Sequence, residues 1–565
     1  MKMKNKILMG FLAITLFTVS GCETFDLDQT ENPSTLSKEF LDPVYSFNYV
    51  QLTLPDFVSS TNAFTQQVTR QMAMTGGNSY ENAFAAVNSN ENWTTGYLIL
   101  NAIKTMEPKA IENRQTFILG ASKVIRCYVL MTMADLYGNI PYSEALMGGS
   151  NLTPRYDDSA DVYAGVYDEL NQAIEYLSVA DESSAGDPRD LYFGGVEGTP
   201  AATRWITVAK TLKLKMLNNV RLLESFGSYN VESEVDLLLA ENDLINSADK
   251  DFQFKYGTNR VNPNSRHPLY NNQYEFNGGS YIANYFFWTV SVEKGSSVQA
   301  RDPREPYYFY RQSSVNNSTS SQVLPCKDEE RPSQYNNDQF VSFYNGAISQ
   351  PFCFTNGYLG RDHGDDSGIP ADNDVRTVVG LYPIGGKYGQ TPGGVQNGGT
   401  DGALGEGIMP IMLTSYVNFI KAELLLALKT DAGLAKVELE AGIRASISKV
   451  TTFLPDQPGE INPTDSAVNN YVNFVLAKYD VPETNKLELI IKEYFIAAWG
   501  NGIEPYNNYR KTGYPSNFQP TLEQPSGPFY STAFYSDYSV NNNPNTPNNV
   551  RTRKVFWDVA NIELH

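Results

Sequence analysis

Apolar positions recur every three or four residues in several widely separated stretches of this chain. The first runs through Phe117, Ala121, Val124, Tyr128 and Met131, one face of an amphipathic helix that stops before Gly138 and Pro141. A second stripe, Val162, Val166, Leu170, Ala173, Ile174 and Leu177, follows Asp157, Asp158 and Asp161, whose charge favours the positive end of a helix dipole. The two segments predict an antiparallel helical pair. Thr199-Pro200 places a capping hydroxyl before a proline suited to the first helical position, ahead of the stripe Trp205, Val208, Leu212, Met216 and Val220, and a short helix over 235–240 is its expected partner. The pattern resumes at Leu413, Tyr416, Val417, Ile420, Leu424 and Ala427, turns at Asp431-Ala432-Gly433 and continues from Leu434 toward Val450. A further helix from Thr484 turns Leu487, Ile490, Ile491, Tyr494 and Ala498 inward and a Glu488/Lys492 pair outward, with Gly500 as its stop. The class predicted is mainly α, with tetratricopeptide-like helical pairs although no strict repeat is visible. Two long insertions, about 251–407 and 515–550, are dense in Asn, Gly, Pro, Ser and Tyr and read as irregular loops, the usual place for binding function.

The N-terminus follows a different logic. Lys2, Lys4 and Lys6 precede an apolar run from Ile7 to Val19 that is too short to cross a bilayer, which is the pattern of an export signal. Val19-Ser20-Gly21-Cys22 then resembles the bacterial lipobox, in which the thiol is acylated and the peptide removed. The expected organisation is a signal peptide over 1–21, a lipid-anchored tether over 22–40 and a single helical domain over 41–565, since no Gly/Ser or charged linker divides the remainder. No other run is expected to reach the ~18 apolar residues of a membrane helix, so lipid on Cys22 is the whole expected anchor.

Charge and rare residues narrow the function. The chain has 63 acidic and 43 basic residues, and loss of the three signal lysines leaves 40 basic residues and a net charge of −23. That balance opposes nucleic acid and docking through a basic patch. After Cys22 there remain Cys127, Cys326 and Cys353, without a C-x-x-C pair or a Cys/His cluster, so neither zinc nor thiol redox chemistry is expected. Cys326 and Cys353 read as free thiols, with a disulfide as the alternative. Asp362, Asp365 and Asp366, with Asp372-Asn373-Asp374, concentrate oxygen ligands but fit no EF-hand spacing, and an acidic turn is the simpler reading. Only His267, His363 and His565 are present, in no triad motif, and no two carboxylates are singled out for catalysis. The expectation is a binding protein rather than an enzyme, with no cofactor and no metal.

Short motifs in a fixed order then add a resemblance. They are Ala134-Asp135-Leu136-Tyr137-Gly138-Asn139-Ile140-Pro141-Tyr142, Pro154-Arg155-Tyr156-Asp157, Arg204-Trp205, and Arg301-Asp302-Pro303-Arg304 with Tyr307, Tyr308 and Phe309. Val417-Asn418-Phe419-Ile420-Lys421-Ala422-Glu423, Gly502-Ile503-Glu504 and Tyr509-Arg510-Lys511-Thr512-Gly513-Tyr514-Pro515 follow. Together they span the mature chain and resemble the SusD/RagB family of outer-membrane nutrient-binding lipoproteins. The resemblance implies a helical body packed on a SusC-type TonB-dependent transporter, with glycan, or in a RagB-like alternative peptide, held by the loops. It also makes Glu23, Asp26 and Asp28 similar to a diluted acidic export signal, implying an outward-facing anchor in the outer membrane. The motifs themselves read as scaffold, because terminators and turns need no ligand to explain them.

A sugar site needs aromatic platforms for CH faces beside amides for hydroxyls. The richest such stretch is Asn271 to Asn277 continuing through Tyr281, Asn284, Tyr285 and Trp288, from which Tyr274, Asn277, Tyr281, Asn284 and Trp288 are the candidate ligand contacts. Tyr281 and Trp288 are expected as exposed platforms in non-helical chain. Asn78 and Tyr80 form a second candidate. Trp93, Tyr97, Trp205 and Trp499 are assigned to the core, and Trp557 to neither.

Overall fold

The computed structural model describes residues 42–74, 84–180, 190–194, 200–271, 274, 281–295, 297–311, 360–365, 377–383, 402–453, 463–522, 528–560, 562 and 564. Cys22, Asn78, Tyr80, Asn277, Cys326, Cys353 and Asp366 lie outside the described residues, as do the two acidic residues and the asparagine at 372–374. Pro43–His565 forms one compact unit.

Every helical stripe read from the sequence is a helix, and α1 and α2, which the reading did not mark, complete the first pair. α1 (Pro43–Val68) and α2 (Asn90–Glu112) run antiparallel, with Asn92 Nδ2 donating to Thr61 Oγ1 at 2.7 Å. A Cβ on Gly96 would lie 2.8 Å from Met133 Sδ and 3.2 Å from Phe57, so glycine here lets three helices cross closely. α3 (Thr116–Tyr137) and α4 (Ser159–Ser178) form the expected antiparallel pair: Arg126 binds Glu169 at 2.7 Å and Cys127 lies 3.6 Å from the Val166 carbonyl. α5 (Ala201–Asn219) and α6 (Val231–Glu241) follow. Pro200 occupies the cap position rather than the first helical one, and Thr199 is outside the described residues.

α3 corrects one expectation. It is long and apolar enough to span a membrane, yet 89% of that apolar window is buried inside the protein. Its neighbours supply the apolar surroundings a bilayer would, so hydropathy alone does not separate a core helix from a membrane helix.

The insertion at 251–407 is also less irregular than its composition suggests. Strand Phe252–Lys255 pairs antiparallel with Ile408–Met412, and Asn284–Ser291 is a helix, α7. Strand pairing across such a separation leaves no local sequence signal. Beyond it, α8 (Thr414–Ala427) and α9 (Ala432–Thr451) pair antiparallel, with Lys421 bound to Glu438 and Gly442 against the Phe419 ring. α10 (Asp465–Asp480), α11 (Lys486–Ala497) and α12 (Ile503–Thr512) complete the body, with a short α13 (Asp537–Asn542) after it. The Glu488/Lys492 pair is not made. Lys492 binds Glu293, and Glu488 accepts from the Ser516 amide at 3.1 Å, because segments 293 and 516–517 cover that helix face. An exposed i, i+4 pair is worth only about 0.3–0.5 kcal/mol, too little to resist them.

The short motifs converge on buried polar contacts. Asp135, fully buried, accepts from Tyr163, from Trp557 Nε1 at 3.0 Å, from Asn507 at 2.7 Å and from Asn219 at 3.3 Å, tying α3 to α4, α5, α12 and the C-terminal segment. Glu423 is shared by Lys511 (2.8 Å) and Arg221 (2.6 Å). Burial alone would push its carboxyl up, but these two cations hold it down, to about 2. With one carboxylate between two cations, burial in turn pulls Lys511 down to about 8. Lys215 pairs with Glu504 at 2.6 Å, and Arg304 with Asp302 at 2.7 Å and Glu493 at 3.1 Å. Breaking any one of these would leave an uncompensated charge in the interior.

Candidate functional site

Residues 72–74 lead toward Asn78 and Tyr80, and Tyr281 follows closely on Asn277. The fold brings these two places together. Met72 and Ile282 form an antiparallel bridge, the Ala73 amide donates to the Tyr281 carbonyl at 2.9 Å, and Ala283 bridges in parallel to Arg361. Asn284 locks the junction: its Nδ2 donates to Asp362 at 3.0 Å while its Oδ1 accepts from the Gly360 amide at 3.0 Å. Residues 72–73 and 281–283 therefore meet at one junction of the fold.

Around this junction most of the candidate aromatics are structural. Tyr274 is fully buried, stacks on Tyr270 with centroids 5.3 Å apart, and accepts from the Leu381 amide at 3.3 Å. Trp288 is 2% exposed and Asn284 also 2%, both on α7, so the expectation of an exposed Trp288 in non-helical chain is corrected. The run Asn284-Tyr285-Phe286-Phe287-Trp288 is apolar on nearly all sides, and a helix of that kind is enclosed by its neighbours rather than presented to solvent. Tyr281 alone is half-buried, packed against the Tyr270/Tyr274/Leu381 cluster with the Arg361 guanidinium 5.4 Å from its ring centroid. Trp93, Trp205 and Trp499 are buried as expected, and Trp557 proves to be buried as well.

The acidic turn has been drawn inward. Arg361 lies 3.6 Å from Asp365, and Asp362 accepts from Gln519 Nε2 at 2.8 Å as well as from Asn284. Among the described residues no group of three or more His, Cys, Asp or Glu is arranged to hold a metal.

Two cavities compete as ligand sites. The larger, about 520 Å³, lies against α2, α3 and α4 and includes Lys104, Glu107, Lys123, Arg126, Tyr142 and Glu169 among its lining residues. Its polar groups satisfy one another: Arg126 and Tyr142 both bind Glu169, Lys123 lies 3.6 Å from Glu107, and Lys104 donates to the Ala145 carbonyl at 2.8 Å. A ligand would have to displace these bonds. The smaller, about 160 Å³, adjoins the loop junction between the end of α1, Met72, the 267–269 turn, Tyr382, Met409 and the Trp499-Gly500 corner. Gly500 turns that corner at φ +89°, with Tyr382 and Pro410 against it. Here two polar groups are not satisfied. Gln66 Nε2 and Trp499 Nε1 are buried without a hydrogen-bond partner among the described residues, a state that costs stability unless something else supplies the acceptor. Chemical need, rather than size, makes the smaller cavity the candidate site.

Sequence reading missed its lining. Gln66 lies on a helix that was not marked, Trp499 was assigned to the core, and Tyr382 and His267 are scattered through the insertion. The available signal was His267 itself, a rare residue beside Pro268 inside a loop-rich segment.

Fold and site together are those of a helical scaffold that carries a ligand cavity beside its loops. Residues 29–345 match a family profile described as starch-binding and associating with the outer membrane, and residues 406–553 match one described as SusD and RagB outer membrane lipoprotein. The chain belongs to the SusD/RagB family, which places it among outer-membrane, glycan-binding proteins. Solved structures agree in fold. A SusD homologue from Bacteroides fragilis matches at 19% identity and a TM-score of 0.63, over 92% of this chain and 99% of that one. A chitin-binding SusD homologue from Flavobacterium johnsoniae matches at 19% and 0.58, over 92% and 97%. A SusD/RagB family protein from Bacteroides thetaiotaomicron matches at 18% and 0.58, over 90% and 99%. No curated protein sequence matches.

Proposed function

We propose that this protein is a lipoprotein anchored through Cys22 to the outer face of the outer membrane, where it captures an oligosaccharide and passes it to a SusC-type transporter without cleaving it. The observation that carries the reading is the loop junction. Tyr281, half-buried, and Asn284 stand at it, beside a cavity with two buried donors that lack acceptors. Sugars are rich in such acceptors. The chitin-binding title of one structural neighbour and the outer-membrane description of the family support the same direction. Among the described residues the lining holds no pair of carboxylates, which glycoside hydrolysis ordinarily uses.

Affinity electrophoresis and calorimetry of the mature protein against soluble polysaccharides and a peptide library test the proposal. Binding to a glycan without release of new reducing ends is expected. Binding to peptides alone would replace glycan by a RagB-like peptide ligand. Co-purification with an outer-membrane transporter from its native membrane tests the delivery step, and protease shaving of intact cells tests the outward orientation.

A further inference from the structure

We infer that the 160 Å³ cavity beside the loop junction is a receptor for the acetamido group of an N-acetylated amino sugar. The inference rests on the glycan-binding reading and names the chemistry within it.

The argument starts from the donors. Trp499 Nε1 can only donate, and it is buried without a partner; the Gln66 amide nitrogen is in the same position. His267 lies beside them, and the Leu269 amide donates to its Nδ1 at 3.2 Å. Burial pulls the His267 pKa down to about 3, which keeps the ring neutral at ordinary pH. Among the described residues no Lys, Arg, Asp or Glu belongs to the lining, while Ala63, Met72, Leu269 and Met409 supply apolar wall.

These features select among the groups a sugar carries. A hydroxyl can accept from these donors but brings no apolar group to meet that wall. A carboxylate needs a cation, and an ammonium needs an anion or several acceptors. An acetamido carbonyl accepts two hydrogen bonds, carries no charge and brings a methyl group for the apolar wall. Size agrees, because cavities that enclose a whole drug-sized ligand start near 300 Å³. A space of about 160 Å³ suits a substituent while the sugar ring stays at the rim.

Calorimetry with the full-length mature protein in detergent tests this. The probes are a trisaccharide of N-acetylglucosamine, the matching glucosamine and glucose trisaccharides, and an N-acetylated tripeptide amide. The acetylated trisaccharide is expected to bind about ten-fold more tightly than the other two sugars, equivalent to about 1.4 kcal/mol. Trp499→Phe and, independently, Gln66→Leu should remove that preference, bringing the acetylated trisaccharide to the affinity of the glucose trisaccharide. In ¹H–¹⁵N spectra the indole N–H signal absent from Trp499→Phe should move on adding the acetylated sugar and stay in place with glucosamine. Equal binding of all three sugars, a preference for the acetylated one that survives both substitutions, or an unmoved indole signal would overturn the acetamido assignment and leave the glycan reading standing. Binding of the peptide alone, or of no probe, would overturn both.

Discussion

Replacing Asp135 by Asn measures how far one buried carboxylate organises the fold. The side chain is fully buried and receives four donors, Tyr163 Oη and Trp557 Nε1 on one oxygen, Asn219 Nδ2 and Asn507 Nδ2 on the other. Asn preserves the volume and one acceptor oxygen, so two donors keep a partner and two come to face an NH₂ group. Asn507 cannot rescue the arrangement by turning over, because its own oxygen already accepts from Arg510 at 2.6 Å. Two orphaned donors at about 1–3 kcal/mol each predict a loss of roughly 2–6 kcal/mol. Tyr163→Phe, which removes one donor and leaves the carboxylate to the other three, should cost about 1 kcal/mol. The assay is urea unfolding followed by far-UV circular dichroism, with the midpoint shift multiplied by the shared slope. Limited proteolysis should also release the C-terminal segment around Trp557 earlier in Asp135→Asn, since that residue loses its anchor. An Asp135→Asn midpoint equal to the parent's would refute the idea that the carboxylate joins these elements.

Three further outcomes are expected. Trp288→Ala removes a side chain that is 2% exposed and should cost about 3–5 kcal/mol, whereas Tyr281→Ala, half-buried at the loop junction, should cost much less and weaken glycan binding; equal melting of the two variants would count against this division. Burial pushes the Glu305 carboxyl up to about 7 despite Arg301 3.8 Å away. Because the folded value is the higher one, its contribution is fully present below about pH 4.5 and is lost as the pH rises through 7, by about 3 kcal/mol in all. Glu305→Gln should flatten that slope in urea midpoints measured from pH 4.5 to 8, and an unchanged slope would refute it. Cys22→Ala should move the protein from the membrane fraction to the soluble fraction, as read by detergent partitioning of cell extracts, and continued membrane retention would contradict a lipid anchor.

Much of the architecture was legible before any coordinate. The stripes from Phe117 to Met131, Val162 to Leu177 and Tyr416 to Ala427 became α3, α4 and α8, because a helix that buries one face must repeat its apolar residues near 3.6. The order of the short motifs identified the family for a related reason: turns and buried charges tolerate few substitutes. Asp135 and Glu423 could be seen as residues of those motifs, but not as hubs, since all the named partners but Tyr163 lie 84 or more residues away, as Asn219 and Lys511 do.

The candidate site divides along the same line. Sequence marked the aromatic and amide-rich stretches, and it could not tell which rings turn inward, because Tyr and Trp serve core and surface equally well. Packing decided that Trp288 and Tyr274 are enclosed while Tyr281 lies half-open. Only the tertiary structure brought Gln66, His267, Tyr382 and Trp499 to one cavity. Local pattern dictates which face of each helix is buried, whereas which distant groups meet, and which donors are left without acceptors, follows from how those faces pack.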